Sequence, residues 1–127
     1  MEKLKSILEI YTTFNGRISR IEYFKCLALY AIMYIILLII LGIAVAFLDI
    51  PEGSMGEFIF TNGIIMLFSM LMIPATIKRL HDTNRSGWFL LIGLIPLVNL
   101  YLAYVVYLEK GTSGSNQYGE DPLAKNS

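Results

Sequence analysis

The amino-acid sequence predicts an all-α integral membrane protein, and three observations support this prediction. The chain has 127 residues, of which 56% are hydrophobic and 16% charged, against about 25% charged in a typical soluble domain. Charged residues and histidine are absent from three runs, residues 26–48, 58–77 and 86–108. Each run has at least 20 residues, and a helix of about 20 residues crosses a hydrocarbon core of about 30 Å. We therefore expect one membrane domain, residues 1–127, with an interfacial N-terminal helix and three transmembrane helices.

The N-terminal segment, residues 1–14, has the pattern of an amphipathic helix. Its apolar side chains recur at helical spacing, and polar side chains fill the other positions; the apolar ones are Leu4, Ile7, Leu8, Tyr11 and Phe14. A helix of this kind lies in the membrane interface with its apolar face toward the acyl chains. A frayed N-terminus is the alternative.

The first two membrane helices follow from a start signal and from composition. Gly16 is a natural C′ residue for the preceding helix, and Ser19 and Glu22 have the spacing of a capping box. The first helix therefore begins at this box and crosses the membrane with residues 26–48. Residues 58–77 form the second crossing, which Pro74 is expected to kink.

The third membrane segment, residues 88–108, has two interpretations. Gly93, Pro96 and Asn99 interrupt the middle of the run. Because proline lacks an amide hydrogen and clashes with the preceding turn, Pro96 either kinks a continuous span or permits a re-entrant hairpin. The kinked span is the preferred prediction and places the polar tail, residues 109–127, outside the cell. A hairpin would return the tail to the cytoplasm.

The distribution of lysine and arginine predicts the orientation. Residues 1–25 carry five of these side chains and residues 78–85 carry three, whereas the loop 49–57 carries none. Since short cytoplasmic loops are enriched in lysine and arginine, the N-terminus and the 78–85 loop are expected in the cytoplasm.

Polar residues at this cytoplasmic face form the candidate site. Two chain segments contribute them: Arg17, Arg20, Glu22, Arg79, His81, Asp82 and Arg85. We expect the arginines to pair with Glu22 and Asp82 and so to tie the helix ends together. The remaining arginines are expected to bind anionic lipid headgroups, because a planar guanidinium donates several hydrogen bonds to phosphate.

Other classes of function have little support in the sequence. His81 and Asp82 are adjacent, which rarely orients one toward the other, and no serine or cysteine nucleophile accompanies them. One histidine and one cysteine, far apart, make no metal site, and neither a basic nucleic-acid face nor a nucleotide-binding motif occurs. The sequence thus predicts no enzyme and no cofactor, but a structural or interaction protein whose partners are the lipid bilayer and possible further copies of itself. A subunit of an oligomeric transporter or channel is the alternative.

Three motifs give the chain a family resemblance. They are "GRISRIEYF" at 16–24, "KRLHDTNRSGWF" at 78–89 and "GTSGSNQYGEDP" at 111–122. With them the chain resembles domain-of-unknown-function family 805, small bacterial inner-membrane proteins with no assigned activity. The resemblance implies that the tail motif, including Asn116, Tyr118 and Asp121, belongs with the other two. The chain departs from the family pattern at Asn84, where glycine is common, and at Gln117, where arginine is frequent.

Overall fold

The computed structural model describes residues 1–124, with only the backbone described at Lys3, and it confirms the all-α class. No β-strand occurs in the described range, where Asn116 and Gly119 form an isolated bridge. The last three residues of the predicted tail lie outside that range. The helices are α1 (Glu2–Thr12), α2 (Arg20–Phe47), α3 (Met55–Ser69), α4 (Met72–Asp82), a 3-10 helix (Gly87–Leu94), α5 (Val98–Ala103) and a π-helical turn (Tyr104–Leu108).

Within residues 1–124, two helical stretches are long and apolar enough to cross a membrane. They are Arg20–Phe47, with a mean hydropathy of 2.8, and Met55–Asp82, with a mean hydropathy of 1.9. Most of their large apolar side chains face outward, among them Ile36, Ile40 and Leu67. Apolar surfaces of this extent are what lipid covers, and they are rare on soluble monomers. The first two predicted membrane helices therefore correspond to helices of the fold.

The second stretch is interrupted between α3 and α4, and Pro74 provides the physical reason. Because Pro74 has no amide hydrogen, the Met70 carbonyl accepts from Ile73, three residues later, at 3.1 Å. The turn tightens locally, and α4 begins afresh at Met72. The kink expected at Pro74 is thus observed as a break between Ser69 and Met72, about one turn before the proline.

The N-terminal helix α1 packs against α4, so the frayed alternative is wrong. Lys78 Nζ reaches the end of α1 and donates to the Glu9 carbonyl at 2.5 Å and to Thr13 Oγ1 at 2.8 Å. The helix ends at Thr12, and Thr13 is extended. Gly16 is therefore not the C′ residue as predicted; its φ of 93° serves the linker to α2 instead.

The preference for a continuous third span is corrected by the structure, which has a hairpin. The 3-10 helix ends at Leu94, and Leu97, with a φ of 68°, stands at the turn before α5. The two ends of the hairpin meet, because Arg85 Nη1 lies 2.9 Å from Glu109 Oε1. A straight helix would hold these residues more than 30 Å apart at about 1.5 Å per residue. Pro96 lacks an amide hydrogen and interrupts the helical hydrogen bonding, and the chain reverses at the turn that contains Leu97.

A small core lies where the helix ends, the linker and the hairpin meet. It comprises Ile18, Tyr23, Ala75, Leu80, Leu102, Val105 and Val106. The core fixes the end of α4 against the linker on one side and the return arm of the hairpin on the other. It thereby positions the polar residues described next.

Candidate functional site

A capping box begins α2, two residues after Arg17. Ser19 Oγ accepts from the Glu22 amide at 3.3 Å, and Glu22 Oε2 accepts from the Ser19 amide at 2.9 Å. This confirms the predicted box. It also corrects the expected pairing of Glu22 with arginine, because no ion pair to Glu22 occurs among residues 1–124 and its carboxylate caps its own helix.

Asp82 lies between two arginines from different parts of the chain. Its Oδ1 is 3.0 Å from Arg17 Nη2, and its Oδ2 is 2.5 Å from Arg79 Nη1. The exposed fractions of these side chains are 1% for Arg17, 5% for Asp82 and 0% for Arg79. The sequence correctly predicted that arginines pair with Asp82. It did not predict burial this complete, which depends on the tail.

The other guanidinium donors bind backbone carbonyls of the tail and the hairpin. Arg17 donates to the carbonyls of Thr112 at 2.6 Å, Gly114 at 2.7 Å and Gly119 at 3.2 Å. Arg79 donates to the carbonyl of Val106 at 3.0 Å and to that of Glu109. Each arginine therefore couples Asp82 to backbone that lies at least 27 residues from that arginine in sequence. We call Arg17, Arg79 and Asp82, with these carbonyls, the arginine–aspartate network.

A glycine allows the tail to approach the network closely. The Thr112 amide donates to the Asp82 carbonyl at 2.8 Å, which holds residue 111 against the carboxylate. A Cβ built on Gly111 would lie 2.0 Å from Asp82 Oδ2 and 2.6 Å from its Cγ. Glycine is therefore required at residue 111 because any side chain would clash with Asp82. Backbone conformation is not the reason, because the φ of Gly111 is not in the left-handed region.

His81 is stacked and hydrogen-bonded by two different segments. Its ring lies flat on that of Tyr118, with centroids 3.9 Å apart and an interplanar angle of 1°. Nδ1 is 3.2 Å from the Gly16 carbonyl, and because a carbonyl only accepts, this nitrogen carries the proton. Burial lowers the pKa of His81 below its ordinary value, and the bond to Gly16 opposes this in part.

The tail motif folds into turns around its own polar side chains. Asn116 donates from Nδ2 to the His81 carbonyl at 2.9 Å and accepts from the Tyr118 amide at 2.9 Å. Asp121 accepts from the amides of Leu123 and Gly114, both at 2.9 Å, and these bonds lower the pKa of its carboxyl. The motif that the family resemblance assigned to this site does lie there.

Arg20 and Arg85 bind the hairpin rather than Asp82. Arg20 is exposed and donates from Nη1 to the Leu108 carbonyl at 2.9 Å. Arg85 pairs with Glu109 and donates from Nη2 to the Tyr101 hydroxyl at 3.1 Å. Sequence reasoning missed Glu109. Arg85 and Glu109 are the charges that flank the apolar run 86–108, and a hairpin in this run would bring them together.

Asp82 is bound by the two arginines and not by His81. Both carboxylate oxygens of Asp82 bind arginine, so Asp82 does not orient the His81 ring as a catalytic partner would. Among residues 1–124 no group of three or more His, Cys, Asp and Glu side chains could hold a metal ion. The geometry pairs Asp82 with two buried arginines and joins the linker, α4, the hairpin and the tail through hydrogen bonds to backbone carbonyls.

Comparison with known proteins agrees with the three motifs. A family model described as "Protein of unknown function (DUF805)" matches residues 11–120. The chain belongs to this family. Inner membrane protein YhaI of Escherichia coli (strain K12) is 36% identical over 126 residues, which cover 96% of each chain. Inner membrane protein YhaH of the same strain is 32% identical over 122 residues, covering 96% of this chain and 97% of its own. No solved structure matches.

The family and the fold agree on the environment of this DUF805 chain. Both relatives are inner membrane proteins by name, and the present chain has two helices long and apolar enough to cross a bilayer. The sequence-based identification of the family is thereby confirmed. The chain is a membrane protein of a family with no described activity.

Proposed function

We propose that this chain is a non-enzymatic, structural or interaction protein of the bacterial inner membrane. Its N-terminus, the 78–85 loop and the tail lie in the cytoplasm. The apolar part of α2, residues 26–47, and residues 58–77 of α3 and α4 cross the bilayer, whereas the hairpin 87–108 enters the inner leaflet and returns. The arginine–aspartate network is the joint that holds these parts together on the cytoplasmic side.

The burial of the network is the observation that carries this proposal. Arg17, Arg79 and Asp82 have side chains that are at most 5% exposed, and all three bind partners within the chain. Arg17 donates through all three of its guanidinium nitrogens, and the Arg79 side chain is fully buried, so neither arginine is available to a substrate. Removing one member of such a group leaves an uncompensated buried charge, which makes the arrangement specific for one geometry.

The dimensions of the hairpin support a re-entrant placement. Its first arm is an eight-residue 3-10 helix, about 16 Å long at about 2.0 Å per residue. Its second arm, Val98–Leu108, is about 16 Å long at about 1.5 Å per residue. Each arm spans about half of a 30 Å hydrocarbon core. At the tip, Leu94 and Leu97 are 80% and 83% exposed, as side chains surrounded by acyl chains would be.

We assign binding of anionic lipid headgroups to the exposed cations and not to the network. Arg17 and Arg79 are too buried to reach a phosphate, whereas Arg20 and Lys25 are exposed near the start of α2. Arg20 has donors left after its bond to the Leu108 carbonyl. Headgroups of the inner leaflet would therefore contact Arg20 first.

Cysteine labelling tests the topology. In a Cys26→Ala background, which removes the single cysteine, Ser115→Cys reports on the tail and Glu52→Cys on the 49–57 loop. We expect a membrane-impermeant maleimide to label Glu52→Cys on intact spheroplasts and to label Ser115→Cys only after permeabilisation. Labelling of Ser115→Cys on intact spheroplasts would contradict the hairpin and the proposed function with it.

A further inference from the structure

A groove lies beside the network, between α2, α4 and the return arm of the hairpin. Its volume is about 330 Å³, at the lower end of the roughly 300–1,000 Å³ usual for small-molecule sites. Apolar side chains, including Leu27, Met72 and Leu102, form much of its wall. Five of the lining side chains carry a polar group: Tyr23, Tyr30, Thr76, Asn99 and Tyr107. The groove adjoins the arginine–aspartate network at Val106, whose carbonyl Arg79 binds, and none of the described tail residues lines it.

Within the described residues, the amide of Asn99 is unpaired in this groove. Asn62, Ser69 and Thr76 also lie in apolar runs, and each donates to a carbonyl three or four residues earlier in its own helix. Among residues 1–124, Thr61 Oγ1 is also without a partner, but it is buried and lines a different pocket. The side chain of Asn99 makes no hydrogen bond with any residue in the described range, although it lines the groove. An unpaired amide in hydrocarbon costs several kcal/mol, so a partner from outside the chain would stabilise it.

The position of Asn99 in the groove argues against a phospholipid as its occupant. Tyr30 lies five residues after Lys25, the last charge before the apolar run, or about 7–8 Å into the membrane along α2, and Asn99 lines the same groove near the hairpin tip. A phospholipid would place its polar headgroup at the cytoplasmic end and an apolar chain against the amide. The position of Asn99 requires an occupant whose polar group lies within the hydrocarbon.

The polar groups of the groove suit an acceptor on a flat ring. Thr76 Oγ1 donates to the Met72 carbonyl, so the 3.3 Å contact between Thr76 and Tyr23 has the tyrosine hydroxyl as donor. The Asn99 amide and the Tyr30 hydroxyl remain as donors. By contrast, the Tyr107 hydroxyl interacts with that of Tyr23. Tyrosine rings in the wall favour contact with another ring, in stacked or edge geometry.

We propose that this groove binds an uncharged, lipid-soluble ring compound with carbonyl oxygens, of the quinone class. A ring carbonyl accepts from Asn99, the ring contacts the tyrosines, and the apolar substituent leaves the groove into the lipid. This inference rests on the membrane placement proposed above. It requires no charge in the ligand, in agreement with a lining that has no acidic or basic side chain.

The experiment measures binding of a tritiated decyl-benzoquinone to the full chain in nanodiscs free of quinone. We expect saturable binding that excess unlabelled quinone displaces and that decylbenzene, which lacks the carbonyls, does not. Asn99→Leu should weaken the affinity about three- to tenfold, the effect of one lost hydrogen bond. Asn62→Leu is the matched control, because its amide bonds within its own helix, and it should bind as the parent does.

Three results would overturn the proposal: no saturable binding to the parent chain, equal displacement by decylbenzene, or an Asn99→Leu affinity equal to the control. The first two use the unaltered protein, so they do not depend on folding of a variant. Thermal unfolding of Asn99→Leu shows whether that variant retains the fold. A tail labelled from outside would instead contradict the proposed topology, so the two failures are distinguishable.

Discussion

Asp82→Asn is the most direct perturbation of the arginine–aspartate network. Asparagine has nearly the shape of aspartate and can still accept one hydrogen bond, but it removes the negative charge that lies 3.0 Å from Arg17 and 2.5 Å from Arg79. Two buried guanidiniums then face each other without compensation. Breaking a buried ion pair in this way costs about 3–5 kcal/mol, because the remaining charge is left in a medium of low polarity.

The expected loss is measurable as thermal unfolding in detergent or nanodiscs. For a chain of this size, about 3–5 kcal/mol corresponds to a fall in Tm of about 10–20 °C. Hydrogen exchange should also speed up at the amide of Thr112, which bonds to the Asp82 carbonyl. Asp121→Asn is the matched control, since that carboxylate accepts only backbone amides and lies outside the network. A Tm for Asp82→Asn equal to that of the control would refute the reasoning.

Three further predictions follow from the same site. Gly111→Ala should destabilise the protein by about 1–3 kcal/mol in thermal unfolding, because its Cβ would meet Asp82 at 2.0 Å; unchanged stability would contradict the close approach. Burial lowers the pKa of His81 from 6.5, so the contribution of the neutral imidazole to stability should be fully present above pH 6.5 and should be lost as the pH drops through 6.5 toward the folded-state pKa. His81→Gln should remove that part of the Tm–pH profile, and an unaltered profile would refute the prediction. Arg20→Gln should weaken binding of phosphatidylglycerol about fivefold without altering binding of phosphatidylcholine, measured by lipid titration; unchanged phosphatidylglycerol affinity would exclude Arg20 as the headgroup ligand.

Local chemistry made the individual helices and the capping box predictable. The spacing of Ser19 and Glu22 specified the start of α2, because both hydrogen bonds form within one turn. Charge-free runs of sufficient length specified the two long helices. Asn84 stands where the family commonly has glycine, and its φ of 58° is a left-handed conformation that asparagine tolerates. Each of these features depends on residues close together in sequence.

Long-range pairing was harder to predict. Glu22 was expected to bind arginine, but its carboxylate accepts a hydrogen bond from the Ser19 amide at the start of its own helix. Arg85 was grouped with Asp82, although Glu109, on the far side of an apolar run, is its partner. The sequence contains both charges, but their meeting depends on whether the run between them crosses the membrane or turns back.

The sequence by itself determined the membrane environment, the helix starts and the family, because each follows from composition or from short motifs. Only the tertiary structure decided the path of residues 87–108 and the burial of the network. Pro96 permits both a kink and a reversal, and its local geometry does not choose between them. The choice is made by bonds that exist only after folding, from Arg17 and Arg79 to carbonyls of the tail and hairpin, because these satisfy buried charges that a straight third helix would leave unpaired.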